Sequence, residues 1–235
     1  MKTTGTLYLI PTLLDDAGLS VIPEYVQSIT SELSIFFVEN ERTARRNLRK
    51  SGYTRSFDEV QLYVLDKDTD PSTIKEYIQI IIQQGSAGIL SEAGVPCVAD
   101  PGSALVLAAH VHNIPVVPLV GPSSLLLALM ASGLYGQRFA FQGYLPVIQK
   151  EREQALHRLE KLVMMDKQTQ IFIETPYRNQ SMVQDILRVC QPTTLLSIAY
   201  GLTGPLEWIK TRSIADWRKH PPKLEKVPAV FLLGM

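Results

Sequence analysis

Two α/β-type parts are predicted for this chain, a mainly parallel sheet flanked by helices followed by an α+β half with a mixed sheet. Three observations carry that reading. The opening half alternates short β-branched or aromatic runs with amphipathic stretches of helix length, which is the pattern of βαβ units. After "VGPSSLLLALMASG" the texture changes, and strand-like runs outnumber helical ones. The 235 residues, 46% of them hydrophobic, suffice for a substantial core and exceed the common size of one domain.

In order, "TLYLI", "SIFFVE", "VQLYVL", "SAGIL" and "IPVVPLV" are the predicted strands of the first half. "PEYVQSITSEL", "ERTARRNLRKSG", "PSTIKEYIQIIIQQG" and "GSALVLAAHVHN" are its helices, and Gly52, Gly85 and Asn113 supply their stop signals. The second half reads as strands "RFAFQGYL", "TQIFIET", "TTLLSIAYGL", "LEWIKTRSI" and "VPAVFLLG", with long helices around Glu151–Met164 and Asn179–Cys190. The boundary falls near Leu119, which gives an N-terminal α/β domain over 1–118 and a C-terminal α+β domain over 119–235. A cleft between the halves is the expected ligand site.

Bulk composition excludes several classes. Lys and Arg together number 23, as do Asp and Glu, so no global field draws the chain to nucleic acid or anionic membrane. Cys97 and Cys190 are far apart, form no C-x-x-C, and suit a reducing, cytoplasmic setting. The first residues carry one lysine and an acidic pair where a cleavage site would stand, so a strand is expected there and no signal peptide. No apolar run reaches membrane-spanning length. His110 and His112 sit two apart on a helical stretch and face different ways, so no metal is expected. The first strand is followed by "IPTLLDDAG" and not by G-x-G-x-x-G, and neither a phosphate-binding G-x-x-x-x-G-K-[ST] nor a nucleophile elbow occurs.

Four segments carry candidate chemistry. The first is "SEAGVPCVADPGSALV", Ser91 to Val106, a strand-to-helix loop longer than a plain connector needs. Ligands collect beyond the carboxyl ends of strands in open α/β sheets. Glu92 can accept hydrogen bonds there, and Gly94 and Gly102 permit close backbone approach. The alternative is an ornate cap, with Asp100 starting the next helix and Pro101 in its first turn. Gly94→Val separates the two readings: in a ligand loop it costs affinity more than stability. The second segment is "VGPSSLLLALMASG", where Gly121, Pro122, Ser123 and Ser124 open a helix with unpaired N–H groups and hydroxyls. The third is "ENERTARRNLRK": Arg42, Arg45, Arg46 and Arg49 form one helical stripe, joined by Lys50. Phosphate contact and a solvated basic face are the two readings, with Arg45 and Arg49 expected to contribute and Asn47, opposite, to be neutral. The fourth is "FIETPYRN", which places Glu174 at a strand tip, either facing a ligand or paired with Arg178.

Taken together these segments resemble the tetrapyrrole methylase superfamily of S-adenosylmethionine-dependent enzymes. The nearest resemblance is to its bacterial small-subunit ribosomal-RNA ribose 2'-O-methyltransferases. "GTLYLI" resembles that family's opening strand and "SEAGVPCVADPGSALV" its Ser-Asp-Ala-Gly-Thr-Pro…Asp-Pro-Gly loop. "VPLVGPSSLLLALMASGL" with "FAFQGYLP" is similar to its second signature, and "IFIETPYRN" to its Tyr-Glu-Ser-Pro-His-Arg. The resemblance implies two α/β-type domains with S-adenosylmethionine in the cleft between them and no metal. It implies donor contacts from Pro11, Ser91, Glu92, Gly94, Val95, Ser123, Ser124, Glu174, Pro228 and Ala229. Substrate contacts fall to Arg42, Arg45, Arg46 and Arg49, with Glu39 as the candidate base for a ribose hydroxyl. Ribosomal RNA is the implied partner, and a homodimer the implied assembly.

Two departures stand on the acceptor side. The family's Ala-Thr-Pro-Ile-Gly-Asn is here "PTLLDD", Pro11 to Asp16, and its Glu-Asp-Thr-Arg is "ENER", with Asn40 at the Asp. They leave open a small heterocyclic or tetrapyrrole-like acceptor, and a homologue that binds the donor without turnover.

Overall fold

The computed structural model describes residues 5–235. The expectation of a leaderless start falls partly on Met1–Thr4, which lie outside the described residues. The chain divides into two compact units, one up to Ser123 and the other from Ser124 to Met235.

The first unit alternates strand and helix throughout. Its elements are β1 (Leu7–Ile10), α1 (Glu24–Glu32), β2 (Ile35–Val38), α2 (Glu41–Lys50), β3 (Gln61–Val64), α3 (Pro71–Gln84), β4 (Ala87–Leu90), α4 (Ser103–Val111) and β5 (Val116–Pro118). All five strands are parallel, in the order β3-β2-β4-β1-β5. Strand alternation explains the two cores. Ile35 and Phe37 of β2 point to one face, where Ile78 and Ile81 of α3 and Leu105 of α4 bury them. Phe36 and Val38 point to the other, against Val26 of α1 and Leu48 of α2. With both faces covered, β2 is buried along its whole length, as a central parallel strand must be.

Local signals start these helices where they start. Asp70 caps α3 by accepting from Ser72 N (2.8 Å) and Thr73 N (3.0 Å), with Pro71 at its first position. Asn40, which replaces the family's Asp, caps α2 by accepting from Thr43 N at 3.1 Å. The departure in "ENER" therefore keeps the cap while removing a charge.

The second unit comprises α5 (Ser124–Ser132), β6 (Phe139–Tyr144), α6 (Gln149–Asp166), β7 (Thr169–Glu174), α7 (Asn179–Val189), β8 (Leu195–Tyr200), β9 (Trp208–Ser213), α8 (Ile214–Lys219) and β10 (Ala229–Gly234). Its sheet runs β6-β7-β10-β8-β9; β6 and β7 are parallel and the other pairings antiparallel. The short α8, capped by Ser213, begins at the last residue of the predicted strand "LEWIKTRSI" and continues through residues assigned to no element from the sequence.

Phe172, Ile198, Phe231 and Leu233 face α6 and α7, forming the core with Leu156, Val163, Met182 and Ile186. The opposite face receives α5. Gly234 packs closely there: a Cβ would lie 2.8 Å from the Leu134 side chain, which would have to shift. A buried ion pair joins α6 to α7: Arg152 Nε donates to Asp185 Oδ2 at 2.7 Å, while its Nη1 holds the carbonyls of Pro146 (3.1 Å) and Val147 (2.7 Å). Every one of these donors therefore has a partner, the condition under which a buried guanidinium is tolerated.

Candidate active site

In the first unit the carboxyl ends of the parallel strands point the same way, so the segments that follow them are gathered at one edge. After β1 comes Pro11-Thr12, after β2 Glu39-Asn40, after β4 the loop Ser91–Gly102, and after β5 Leu119–Ser123. This edge holds the first-unit residues named from the sequence: Pro11, Glu39, Ser91, Glu92, Gly94, Val95 and Ser123. Ser124 opens α5 next along the chain.

A small polar knot fixes the long loop. The buried Ser91 hydroxyl donates to the Gly94 carbonyl, which also accepts from Thr12 N at 2.9 Å. With the Ser91 proton committed, the Thr12 hydroxyl 3.0 Å away must be the donor to Ser91 Oγ. Thr12 has no sequence signal for this role, because its partner lies 79 residues away.

Beyond the knot the loop is wound through left-handed conformations at Gly94 (φ 75°), Cys97 (φ 65°), Ala99 (φ 60°) and Gly102 (φ 129°). Non-glycine residues in that region cost on the order of 1 kcal/mol each and are held only where surroundings over-determine them. The reading of Asp100 and Pro101 as the start of the next helix is corrected here. Gly102 occupies the N-cap of α4, and both residues lie in the loop before it.

The structure also corrects the expected effect of Gly94→Val. A Cβ on Gly94 would lie 2.9 Å from Leu14 Cδ2 and 3.0 Å from the Pro122 carbonyl oxygen. The chain itself fills that space, so bulk at 94 costs stability directly. Gly121 is closed in the same way: its Cβ would fall 2.2 Å from Pro11 Cβ. Pro11 is thus a buried packing residue, and "PTLLDD" folds against the loop through Leu14. Asp16, at its end, pairs with Lys50 of α2, which withdraws that lysine from the basic stripe.

Three carboxylates share this edge. Burial, then the charge of exposed Glu39, raises the Glu92 carboxyl above its ordinary range, opposed by Thr43 and Arg46. Burial and Glu39 push Asp100 up to about 6, although the Glu92 backbone N–H donates to it. Among the described residues no group of His, Cys, Asp and Glu is arranged to hold a metal ion.

The arginine stripe divides. Arg45 pairs with Glu41 at 3.1 Å and lies 5.7 Å from the Phe57 ring centre. Arg49 donates to the Tyr53 carbonyl at 2.6 Å and sits 4.3 Å over the same ring. Both remain exposed, so these contacts hold the two side chains without removing them from the surface. Arg42 and Arg46 are exposed and make no ion pair among the described residues. Asn47 is not neutral: its side-chain amide donates to the Glu92 carbonyl at 3.2 Å, linking α2 to the loop.

In the second unit the register brings Ala229 opposite Glu174 on one side and Tyr200 on the other, with Pro228 just before. Glu174 is buried, and its Oε1 accepts from Arg178 Nη2 and Thr175 N, each at 2.6 Å. This is the pairing with Arg178 that the sequence offers as the alternative to a ligand contact.

Comparison with known proteins places this geometry. No family profile matches the chain. The ribosomal RNA small subunit methyltransferase I of Xylella fastidiosa is 30% identical over 215 residues, covering 92% of this chain and 75% of the relative. Its counterpart in Buchnera aphidicola (subsp. Acyrthosiphon pisum) is 29% identical over 218 residues, covering 92% and 73%. In fold the chain is similar to the methyltransferase CobJ, with TM-score 0.63 and 19% identity over 98% of this chain and 94% of that one. It is also similar to uroporphyrin-III C-methyltransferase from Thermus thermophilus complexed with S-adenosylhomocysteine, with TM-score 0.54 and 15% identity over 98% and 97%. The parallel first sheet, the mixed second sheet and relatedness along nine-tenths of the chain converge, and the chain belongs to the ribosomal RNA small subunit methyltransferase I family.

Proposed function

We propose that the protein transfers a methyl group from S-adenosylmethionine to a ribose 2'-hydroxyl of small-subunit ribosomal RNA, with the first unit's strand-end edge as the reacting site. The observation that carries the reading is the concentration of half-buried carboxylate on that edge, Glu92 and Asp100 beside Glu39. A donor with a cationic sulfur and an ammonium group fits such a field, and Ser91, Glu92, Gly94, Val95 and Ser123 are the residues that would hold it. When bound, the donor supplies a methyl group already activated by the sulfonium charge.

The chain's own work is then orientation and proton removal. A rigid, over-determined loop suits orientation, which can supply several kcal/mol of rate acceleration. A ribose hydroxyl is a poor nucleophile and needs its proton taken. Glu39 is the base named from the sequence. Asp100, at about 6, is tuned closer to neutral pH and is the better-matched acceptor for that proton.

The RNA partner is supported by Arg42 and Arg46, which stand exposed on α2 directly after Glu39 and Asn40. A homodimer is supported by α4 and α5, each apolar around its circumference with outward pairs Leu107/Val111 and Leu126/Met130 exposed. A reducing cytoplasm suits both free cysteines, and no described helix is long and apolar enough to cross a membrane.

The acceptor assignment is tested by replacing Arg42 and Arg46 together with Gln. RNA affinity falls and the salt-dependence slope shrinks by about two units, about one for each phosphate that an arginine no longer neutralises. Calorimetric binding of S-adenosylhomocysteine stays unchanged. An RNA isotherm identical to wild type across a salt series removes the RNA reading and favours a small heterocyclic acceptor.

A further inference from the structure

The end of the second sheet at which β6 and β7 stop carries large apolar side chains that the fold leaves in solvent. β6 and β7 are parallel neighbours, so their carboxyl ends lie side by side, and the antiparallel β10 begins next to the end of β7. Tyr144, Val147 and Ile148 stand at one strand end and Tyr177 at the other, and all four are exposed, Tyr144 at 57% and Tyr177 at 77%.

A bulge aims Tyr144 outward. Phe141 pairs with Ile171 but Tyr144 with Ile173, so β6 takes three steps where β7 takes two. Gly143 stands within the extra step at φ 65°, a left-handed conformation that glycine adopts without strain. Side chains alternate with a period of two, so one extra residue exchanges faces: Leu145 enters the core formed with α6 and α7, and Tyr144 stays out of it. The segment beyond is fixed as well, since the buried Arg152 holds the Pro146 and Val147 carbonyls. Tyr177 sits in a turn closed by Arg178 N donating to the Thr175 carbonyl at 2.9 Å, and Lys226 Nζ stands 4.9 Å from its ring centre.

Exposed apolar side chains held on rigid turns mark a surface that a partner covers. The chemistry here fits a nucleic-acid strand: flat rings accept stacked bases, and ammonium groups beside them meet the phosphates. Lys150, Lys223 and Lys226 are exposed and make no ion pair among the described residues. Arg178 neutralises Glu174, which leaves Glu151 and Glu225 against those three lysines. We infer that Tyr144 and Tyr177 form a stacking platform for successive unpaired bases of the acceptor RNA, an inference that rests on the RNA reading above. Neighbouring strands stand about 4.8 Å apart, and Tyr177 follows Ile173, the partner of Tyr144, by four residues, so the two backbone positions lie within about 20 Å of each other. A single strand several nucleotides long spans that distance.

Tyr144→Leu and Tyr177→Leu keep apolar bulk without the ring; Tyr144→Phe and Tyr177→Phe keep the ring. Each variant of the full chain is titrated by fluorescence anisotropy with a single-stranded RNA of about twelve nucleotides, and with the same RNA annealed to its complement. Each leucine costs about tenfold in single-strand affinity at an unchanged salt-dependence slope, because stacking neutralises no phosphate, whereas Lys226→Gln shrinks the slope by about one unit. The phenylalanine variants stay within about twofold of wild type, and duplex affinity and melting temperature are unmoved. Single-strand affinity equal to wild type in both leucine variants overturns the platform, and a sedimentation coefficient changed in those variants then assigns the exposed side chains to a protein contact. Equal losses for leucine and phenylalanine, equal losses on single strand and duplex, or wild-type protein that binds small ribosomal subunits but not the single strand also overturn the platform alone. Wild-type protein that binds neither overturns the RNA reading beneath it as well.

Discussion

Replacing Gly94 by valine lowers fold stability by about 3 kcal/mol and abolishes binding of S-adenosylhomocysteine with it. Two costs combine. An L-residue at φ 75° carries the left-handed penalty, roughly 1–2 kcal/mol. Its Cβ also meets Leu14 and the Pro122 carbonyl oxygen at about van der Waals overlap, and overpacking of that kind costs roughly 1–3 kcal/mol. Alanine keeps the first cost and only part of the second, so its effect is about 2 kcal/mol. Relief by moving Leu14 is open to neither variant without also moving the Pro122 backbone. Urea denaturation followed by circular dichroism reads the effect; a midpoint equal to wild type for both variants would show that the loop yields and that the observed close approach does not constrain it.

Asp100→Asn has effects of opposite sign on stability and on turnover. Folding lifts this carboxyl from its ordinary 3.8 to about 6, through burial and the charge of Glu39. Between those values the folded protein keeps a proton that the unfolded chain has given up. Stability therefore falls as pH rises through that window, and the penalty is complete above about 6. Two pKa units correspond to about 3 kcal/mol, and partial solvent access reduces this to about 1–2 kcal/mol. Asparagine keeps an acceptor for the Glu92 N–H without the charge. At pH 8 the variant is more stable than wild type by that amount, and below pH 4 the difference disappears. Methyl transfer falls by about a hundredfold, the usual contribution of a positioned base. A variant less stable at pH 8, or one with full turnover, contradicts the role given to Asp100.

These residues show where the sequence is informative. The βαβ alternation of the first half is written in strings such as "SIFFVE" and "PSTIKEYIQIIIQQG", because apolar spacing reports burial within one element. Strand order is not written there: β2 pairs with β4 and not with β1, and nothing inside either string says so. The same limit governs the site. Ser91, Glu92 and Gly94 stand out because unusual residues cluster in one loop. Thr12 and Asp100 acquire their character from partners distant in sequence or from burial. The arginine stripe is legible as a stripe, but its division is not, since Phe57 and Tyr53 reach it from the following turn. The packing around Gly94 is hidden for the same reason, since Leu14 and Pro122 reach it from remote segments.

Transfer of a methyl group to RNA is tested most directly by incorporation from methyl-labelled S-adenosylmethionine. Purified protein is incubated with the donor and with small ribosomal subunits from cells that lack this protein, alongside total protein and small metabolites from the same cells. The RNA is then digested to nucleosides and separated by mass. Label is expected in one 2'-O-methylated nucleoside of the small-subunit RNA, and its rate of incorporation is expected to fall about a hundredfold with Asp100→Asn. Label confined to the metabolite or protein fraction, or donor binding with no transfer to any fraction, would contradict RNA methylation by this protein.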